Sequence, residues 1–454
     1  MTEPHSPGSP VSADGVAAPV KKNKMLKVAF ASFMGTAIEF YDFNIYSTAA
    51  ALVFAHAFFP AMGTYAGTVV SFATLGIAFV GRPIGAILFG HFGDRLGRKR
   101  TLITTMTMMG VATIVIGLLP TADTIGVAAP ILLVLLRVVQ GIAAGGEWGG
   151  AALFTTENAP KHQRGFWGMF TNLGGSAANV LALGTFLIAS YTVSDETFVA
   201  WGWRVPFLLS FLLLGVGLWI RLKIEETPVF AKEVRAHGTS RLPVAEAFAH
   251  QWKQILLGAG CMITFFAFGY LGVAYMTNYG TATLGFSRQM VLAVGMIGAF
   301  VQGLAMINGG ALSDRIGRRK VLLIFGGFAV PWALVLFPLL DTKSVGMYWL
   351  ALIVTFIVAG HGYGIAGSYL SELFETRYRY TAAGLSYSLA GILGGAIPPL
   401  LAASIIGAYG SFTFGLILAG FCLVSFVCTL ALKETKEVSL AHVQEDLAEE
   451  QAAA

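Results

Sequence analysis

Gly90-His91-Phe92-Gly93-Asp94-Arg95-Leu96-Gly97-Arg98-Lys99 is echoed by Gly310-Ala311-Leu312-Ser313-Asp314-Arg315-Ile316-Gly317-Arg318-Arg319, with Asp94 and Asp314 220 positions apart in a chain of 454 residues. Each copy lies between two apolar stretches long enough to cross a bilayer, so the pattern reads as a duplicated membrane protein. A second echo keeps the same order: Arg164 follows Glu157 by seven residues, and Arg379 follows Glu372 by seven. In such a loop the glycines let helix ends approach and the basic residues hold the loop in the cytoplasm. The Asp can pair with an Arg or a helix N-terminus of the other half. Gly90, Asp94, Arg95, Gly97 and Arg98, with Asp314, Arg315, Gly317 and Arg318, are therefore candidates for contacts that form in one conformation and break in another.

Composition agrees with a membrane location. The chain is 56% hydrophobic and only 12% charged, with a mean hydropathy of +0.72, whereas soluble domains carry about 25% charged residues. A water-soluble enzyme is excluded. A hydrocarbon core of about 30 Å needs about 20 helical residues. Twelve apolar segments of that order lie at 28–56, 64–89, 101–119, 126–153, 165–190, 204–222, 254–279, 289–311, 321–340, 345–370, 381–408 and 411–432. The expected fold is an all-α integral membrane protein with twelve transmembrane helices in two six-helix bundles. The expected division is a disordered cytoplasmic N-terminus over 1–24, bundles over 25–222 and 253–432, a cytoplasmic linker over 223–252 and a cytoplasmic tail over 433–454.

Lys and Arg set the orientation. One set of loops holds Lys21 to Lys27, Arg95 to Arg100, Lys161, Arg164, the stretch from Arg221 to Lys253, Arg315 to Lys320, Arg377, Arg379, Lys433 and Lys436, while the other holds Arg204, Arg288 and Lys343. Both termini are thus expected on the cytoplasmic side of a bacterial inner membrane. The net charge of +5 is accounted for by this sidedness and by anionic lipid, so no nucleic acid partner is expected. Cys261, Cys422 and Cys428 lie inside spans with no CxxC pair and no His at ligand spacing, which argues for space-filling thiols and neither metal nor cofactor.

The sequence resembles the major facilitator superfamily, which carries the duplicated loop after its second and eighth spans. Arg137-Val138-Val139-Gln140-Gly141 resembles that superfamily's fourth-span RxxQG motif, associated with proton coupling. Ile38-Glu39-Phe40-Tyr41-Asp42-Phe43 and Gly145-Gly146-Glu147-Trp148-Gly149-Gly150 look like the metabolite:proton symporter family, and Gly35 to Phe40 with Ala151 to Pro160 look closest to its shikimate-type branch. The resemblance implies a symporter of carboxylic acids such as shikimate, 2-oxoglutarate or citrate, or of zwitterions such as proline and betaine.

Ionisable residues within spans carry the rest of the functional reading, because a charge at the bilayer centre costs about 2.5–3.5 kcal/mol on insertion scales and needs a partner or a wet cavity. Glu39 and Asp42 lie about 18–22 Å into the first span, on one helix face, and Arg137 lies about 17 Å into the fourth. These three are expected to cluster. Arg82 and Glu147 are expected to form a second ion pair on the cytoplasmic side, with Glu147 also a coupling candidate. A carboxylate held ionised by an Arg becomes a proton carrier when the Arg turns to a substrate anion.

The second half offers no matching charges. It supplies Tyr270, Gln302 and Tyr387, which with Tyr41, Arg137, Asn172 and Asn179 form the candidate substrate-binding set. Tyr279 reads as an interfacial anchor and His361 as a packing residue or a relay. Gly141, Gly145 and Gly149 make a small-residue stripe for close helix packing. The expected function is proton-coupled import of a small organic acid by a monomer through alternating access, with proline or betaine symport as the alternative. Fewer than three heptads follow Lys433, which argues against a coiled-coil osmosensor. An integral-membrane enzyme would need a nucleophile-base pair or a metal cluster at depth, and neither is present in the sequence.

Overall fold

In the computed structural model, residues 22–96, 98–145, 147–223, 243–375 and 379–438 are described. Twelve helices follow one another: α1 (Lys22–Leu52), α2 (Gly63–Leu96), α3 (Arg98–Leu118), α4 (Ala128–Ala144, continued by Glu147–Asn158), α5 (Arg164–Thr192), α6 (Arg204–Lys223), α7 (Pro243–Tyr270, running on to Thr283), α8 (Arg288–Ile316), α9 (Arg318–Asp341), α10 (Val345–Glu372), α11 (Arg379–Ala390, running on to Tyr409) and α12 (Ser411–Ala431). Only helices satisfy every backbone N–H and C=O inside one segment, which is what lipid demands of an open chain. Among the described residues nine helices are long and apolar enough to cross a membrane, and ten if the bent segment leading into α6 counts as one span. Helix α3 contributes the shorter apolar stretch Ile103–Leu118, while α1 carries Glu39, Asp42 and Asn44 in its middle.

Packing within each half follows the repeat. In the first half α1 lies on α5, α2 on α4 and α3 on α6; in the second α7 lies on α11, α8 on α10 and α9 on α12. The halves meet where α5 packs on α8 and α10, and where α2 packs on α11. At the α2–α4 crossing a Cβ on Gly141 would meet the backbone of Ala78, and one on Gly145 would meet the Arg82 carbonyl. At the α8–α10 crossing a Cβ on Gly360 would lie 2.6 Å from the Gln302 carbonyl, and one on Gly364 would meet that of Met306. Small residues at both crossings let backbones touch, which is how helices associate in lipid.

One asymmetry shapes the interior. Helix α7 carries π-helical turns at Leu271–Tyr275 and Tyr279–Thr283, and α11 carries one at Gly391–Ala396. Of their repeat counterparts, α5 is regular throughout, whereas α1 ends at Leu52 and gives way to a short helix over Phe54–Phe58. Such turns shift the register of side chains and concentrate at functional sites, and here α7 and α11 both border the central cavity.

Candidate functional site

A cavity of about 40 Å³ lies between the halves, lined by Phe40, Asn44, Asn172, Ser176 and Asn179 of the first half and Tyr270, Gln302, Met306, Tyr363 and Tyr387 of the second, among others. Space of that size holds a few waters, so a larger solute enters only when the helices separate. The Asn179 amide and the Tyr270 hydroxyl are buried with no hydrogen-bond partner among the described residues. Gln302 joins them as a third polar group on the wall.

Behind the Phe40 and Tyr270 wall are two buried guanidinium groups. Arg137 is fully buried; its Nη1 donates to Gln140 Oε1 at 2.9 Å, its Nε to the Thr74 carbonyl at 3.4 Å, and its Cζ sits 3.7 Å from the centre of the Tyr46 ring. Its Nη2 has no partner among the described residues. Arg82 packs on the Phe43, Phe79 and Phe40 rings at 4.4, 5.0 and 5.8 Å, and its Nε is likewise unpartnered. Arg82, Arg137 and Glu39 all lie within electrostatic range of the Tyr270 hydroxyl.

The carboxylates are arranged differently from the sequence expectation. Arg82 goes to Glu39, Nη2 to Oε1 at 3.9 Å, and Glu147 accepts from Thr105 Oγ1 at 2.8 Å, so the expected Arg82–Glu147 pair gives way to Arg82–Glu39. Sequence depth placed Glu39 with Arg137 and Glu147 with Arg82; the facing of the helices pairs Arg82 with Glu39 instead. Asp42 accepts from Ser210 Oγ at 2.9 Å. On the Arg137 side, Gln140 Nε2 donates to Thr113 Oγ1 at 2.7 Å and Thr113 donates to the Met109 carbonyl at 2.9 Å. Glu39, Asp42 and Glu147 line one small cavity of about 10 Å³ with Ser210, inside the first half and apart from the central one.

Other expected site residues divide between cavity and frame. Tyr41 turns away: its hydroxyl donates to the Pro206 carbonyl at 3.1 Å, because one residue of helix rotates it off the face of Phe40. Asn44, one turn beyond Phe40, lines the cavity in its place. Asn172 lines the cavity but is fully engaged, with Oδ1 accepting from Trp148 Nε1 at 2.9 Å and Tyr387 Oη at 3.3 Å, and Nδ2 donating to the Tyr363 carbonyl at 2.7 Å. Tyr279 is buried and donates to Asp341. His361 stacks on Phe325 at 3.6 Å, with ring nitrogens near the Ile357 carbonyl and Asn308 Oδ1, the environment of a packing residue. Sequence reading missed Asn44, Met306 and Tyr363, whose apolar or isolated setting in the chain gives no functional signal.

The loop after α8 closes one end of the molecule, called here the basic end. Asp314 accepts from the N–H groups of Gly165 and Phe166 at 2.8 Å each, a cross-half contact with the N-terminus of α5, where the helix dipole favours an anion. It also pairs with Arg318 at 3.0 Å, and Arg318, fully buried, reaches Glu372 at 3.2 Å. Gly317 has φ 104° and a Cβ there would strike Glu434, so the loop needs glycine for two reasons. The Arg315 carbonyl accepts from Lys436 Nζ at 2.9 Å. Arg379 reaches Glu157 across the halves at 3.7 Å. In the first copy of the loop, Gly97 and the side chains at Gly90, Asp94, Arg95 and Arg98 lie outside the described residues.

At the opposite end the halves meet again: Arg288 bonds Asp195 at 2.6 Å, Asn278 donates to the Ala51 carbonyl at 2.8 Å and Tyr65 to that of Ser404 at 2.5 Å. The halves thus touch at both ends, with the central cavity between.

Comparison with known proteins agrees with this architecture. The Major Facilitator Superfamily model matches residues 32–398, and the chain belongs to that superfamily of membrane transporters. It is 42% identical to the inner membrane metabolite transport protein YhjE of Escherichia coli K12, over 92% of this chain and 96% of that protein. It is 36% identical to the shikimate transporter of the same organism, over 90% and 95%, and 31% identical to the glycine betaine/proline/ectoine/pipecolic acid transporter OusA of Dickeya dadantii, over 94% and 86%. The solved xylose transporter XylE from E. coli, in a partially occluded inward open conformation, shares the fold with a TM-score of 0.70 at 16% identity, covering 92% of this chain and all of that one.

Proposed function

We propose that the protein imports a small organic acid together with protons, working as a monomer in a bacterial inner membrane with the basic end and both termini in the cytoplasm. The observation that carries this reading is the pair of buried guanidinium groups, Arg82 and Arg137, with unpartnered N–H donors behind the cavity wall. A substrate carboxylate offers what such donors lack, a charge-assisted acceptor in a low-dielectric site. Asn44, Asn179, Tyr270, Gln302 and Tyr387 supply neutral partners for hydroxyl or carbonyl groups on the same solute. When Arg82 turns to the substrate, Glu39 loses its cation and takes up a proton; Asp42, within electrostatic range of Arg137, responds in the same way. The small cavity shared by Glu39, Asp42 and Glu147 gives the proton a path inside the first half. The residues of the two loop copies and the Glu157–Arg379 pair break and re-form as the halves rock.

A second reading rests on the aromatic wall. Phe40, Tyr270, Tyr363 and Tyr387 border the cavity, and such rings receive quaternary ammonium groups by cation–π attraction, which suits betaine. Proton flux in reconstituted vesicles, followed with an internal pH dye on adding shikimate, 2-oxoglutarate, citrate, proline or betaine, separates the two. Internal acidification with one acid supports organic acid symport, a response to betaine or proline alone transfers the reading to zwitterions, and silence with all five defeats proton coupling.

A further inference from the structure

We propose that Trp148 and Tyr387, keyed by Asn172 and Tyr363, form the gate between the central cavity and the basic end. Trp148 on α4 and Tyr387 on α11 lie ring on ring, with centroids 3.6 Å apart and planes within 10°. This contact joins one half to the other. Asn172 binds both rings through Oδ1 and the second half through Nδ2, at the distances given above. Tyr387 is further held edge-on by Phe266 at 4.8 Å. Trp148, Asn172, Tyr363 and Tyr387 are all buried.

Position in the repeat singles out this cluster. Asn172 and Tyr387 are 215 residues apart, as are Trp148 and Tyr363, the same offset that relates Glu157 to Glu372 and Arg164 to Arg379. The four residues are therefore two repeat-related pairs that meet each other, which places them on the axis relating the halves. A contact on that axis is made and broken symmetrically when the halves rock, so it gates without lateral shear. On its basic-end side the backbones pass close, with a Cβ on Gly149 reaching 3.6 Å from Gly384 and one on Gly168 reaching 3.2 Å from Ser368. On the other side lies the cavity itself, bordered by Asn172, Tyr363 and Tyr387. A solute hydroxyl or carboxylate that takes the Tyr387 hydroxyl or the Asn172 amide competes directly with the bonds that hold the rings together, so occupancy of the cavity loosens the gate on one side only.

The test requires neither substrate nor proton gradient, so it stands apart from the transport reading. In a background with Cys261, Cys422 and Cys428 replaced by Ala, Met306→Cys places a thiol on the cavity wall, and Lys320→Cys, at an exposed basic-end position, reports in a parallel sample which face a membrane-impermeant maleimide sees. Trp148→Ala raises labelling at 306 from the basic-end face roughly tenfold, as expected on loss of a stacked aromatic pair and its hydrogen bond, and leaves labelling from the other face unchanged. Trp148→Phe, which keeps a ring in the stack, restores most of the protection. Asn172→Ala, which leaves both rings in place, raises labelling from the same face by roughly threefold. Unchanged labelling in Asn172→Ala and in a Trp148→Ala protein that elutes as one species overturns the proposal, as does an increase from the opposite face. Should Trp148→Ala not fold, Asn172→Ala and Trp148→Phe carry the same comparison.

Discussion

The two halves share a skeleton and differ in what they enclose. Gly145 on α4 recurs as Gly360 on α10, 215 positions later, and each admits a neighbouring helix backbone, at the Arg82 and the Gln302 carbonyl. At cavity depth the halves part company. The first buries Glu39, Asp42, Arg82, Arg137 and Glu147, whereas the second presents Tyr270, Gln302, Tyr363 and Tyr387. Gln302 stands 220 positions after Arg82, so a neutral amide occupies the second half where the first has a guanidinium. Lipid constrains the crossings, because backbones must approach there; it leaves the enclosed face free, and charge chemistry has room to collect in one half while neutral recognition collects in the other.

The strongest way to break this contrast is Arg137→Gln. Uptake in proteoliposomes is expected to fall at least about 100-fold, equivalent to roughly 2.7 kcal/mol, because no residue of the second half carries a replacement charge at that depth. Transport at the normal rate and affinity would mean that the charged interior is dispensable. Asp42→Asn comes next: gradient-driven accumulation is lost, so the internal to external ratio drops to about one, while counterflow of preloaded substrate continues, since exchange needs no net proton movement. Accumulation that survives removes Asp42 from the coupling set.

Smaller effects sharpen the shared part of the comparison. Gly145→Ala and Gly360→Ala each overpack one crossing and are expected to cost about 1–3 kcal/mol, read as similar losses in thermal midpoint in detergent. Unequal losses would show that the two crossings are not mechanically equivalent. Tyr270→Phe removes one unpartnered hydroxyl from the neutral wall. A KM increase of roughly fivefold with kcat nearly unchanged is expected, the signature of a lost uniform binding contact, and a fall in kcat at fixed KM would move Tyr270 from recognition to coupling.

Much of this was legible in the chain. The repeated loop, the twelve apolar segments and the charges at depth come from local composition and period, and these alone fix helices, their number and their approximate burial. Pairing was not legible, as Arg82 shows: depth along the helices favoured Glu147, and only the facing of α1, α2 and α4 brought it to Glu39. Tyr41 fails for a related reason, since adjacent residues on a helix point about 100° apart and only the packed neighbour decides which one meets the cavity.

The sequence by itself determined that this protein is a duplicated, lipid-embedded helical protein with asymmetric interior charge, because hydrophobic length, loop charge and repeat spacing are properties read along one dimension. Tertiary structure decided which charges touch, that Gln140 bridges Arg137 and Thr113, and that Trp148 meets Tyr387. Those facts depend on helix rotation and crossing, and in a membrane these are set by close packing between helices, which no single helix encodes.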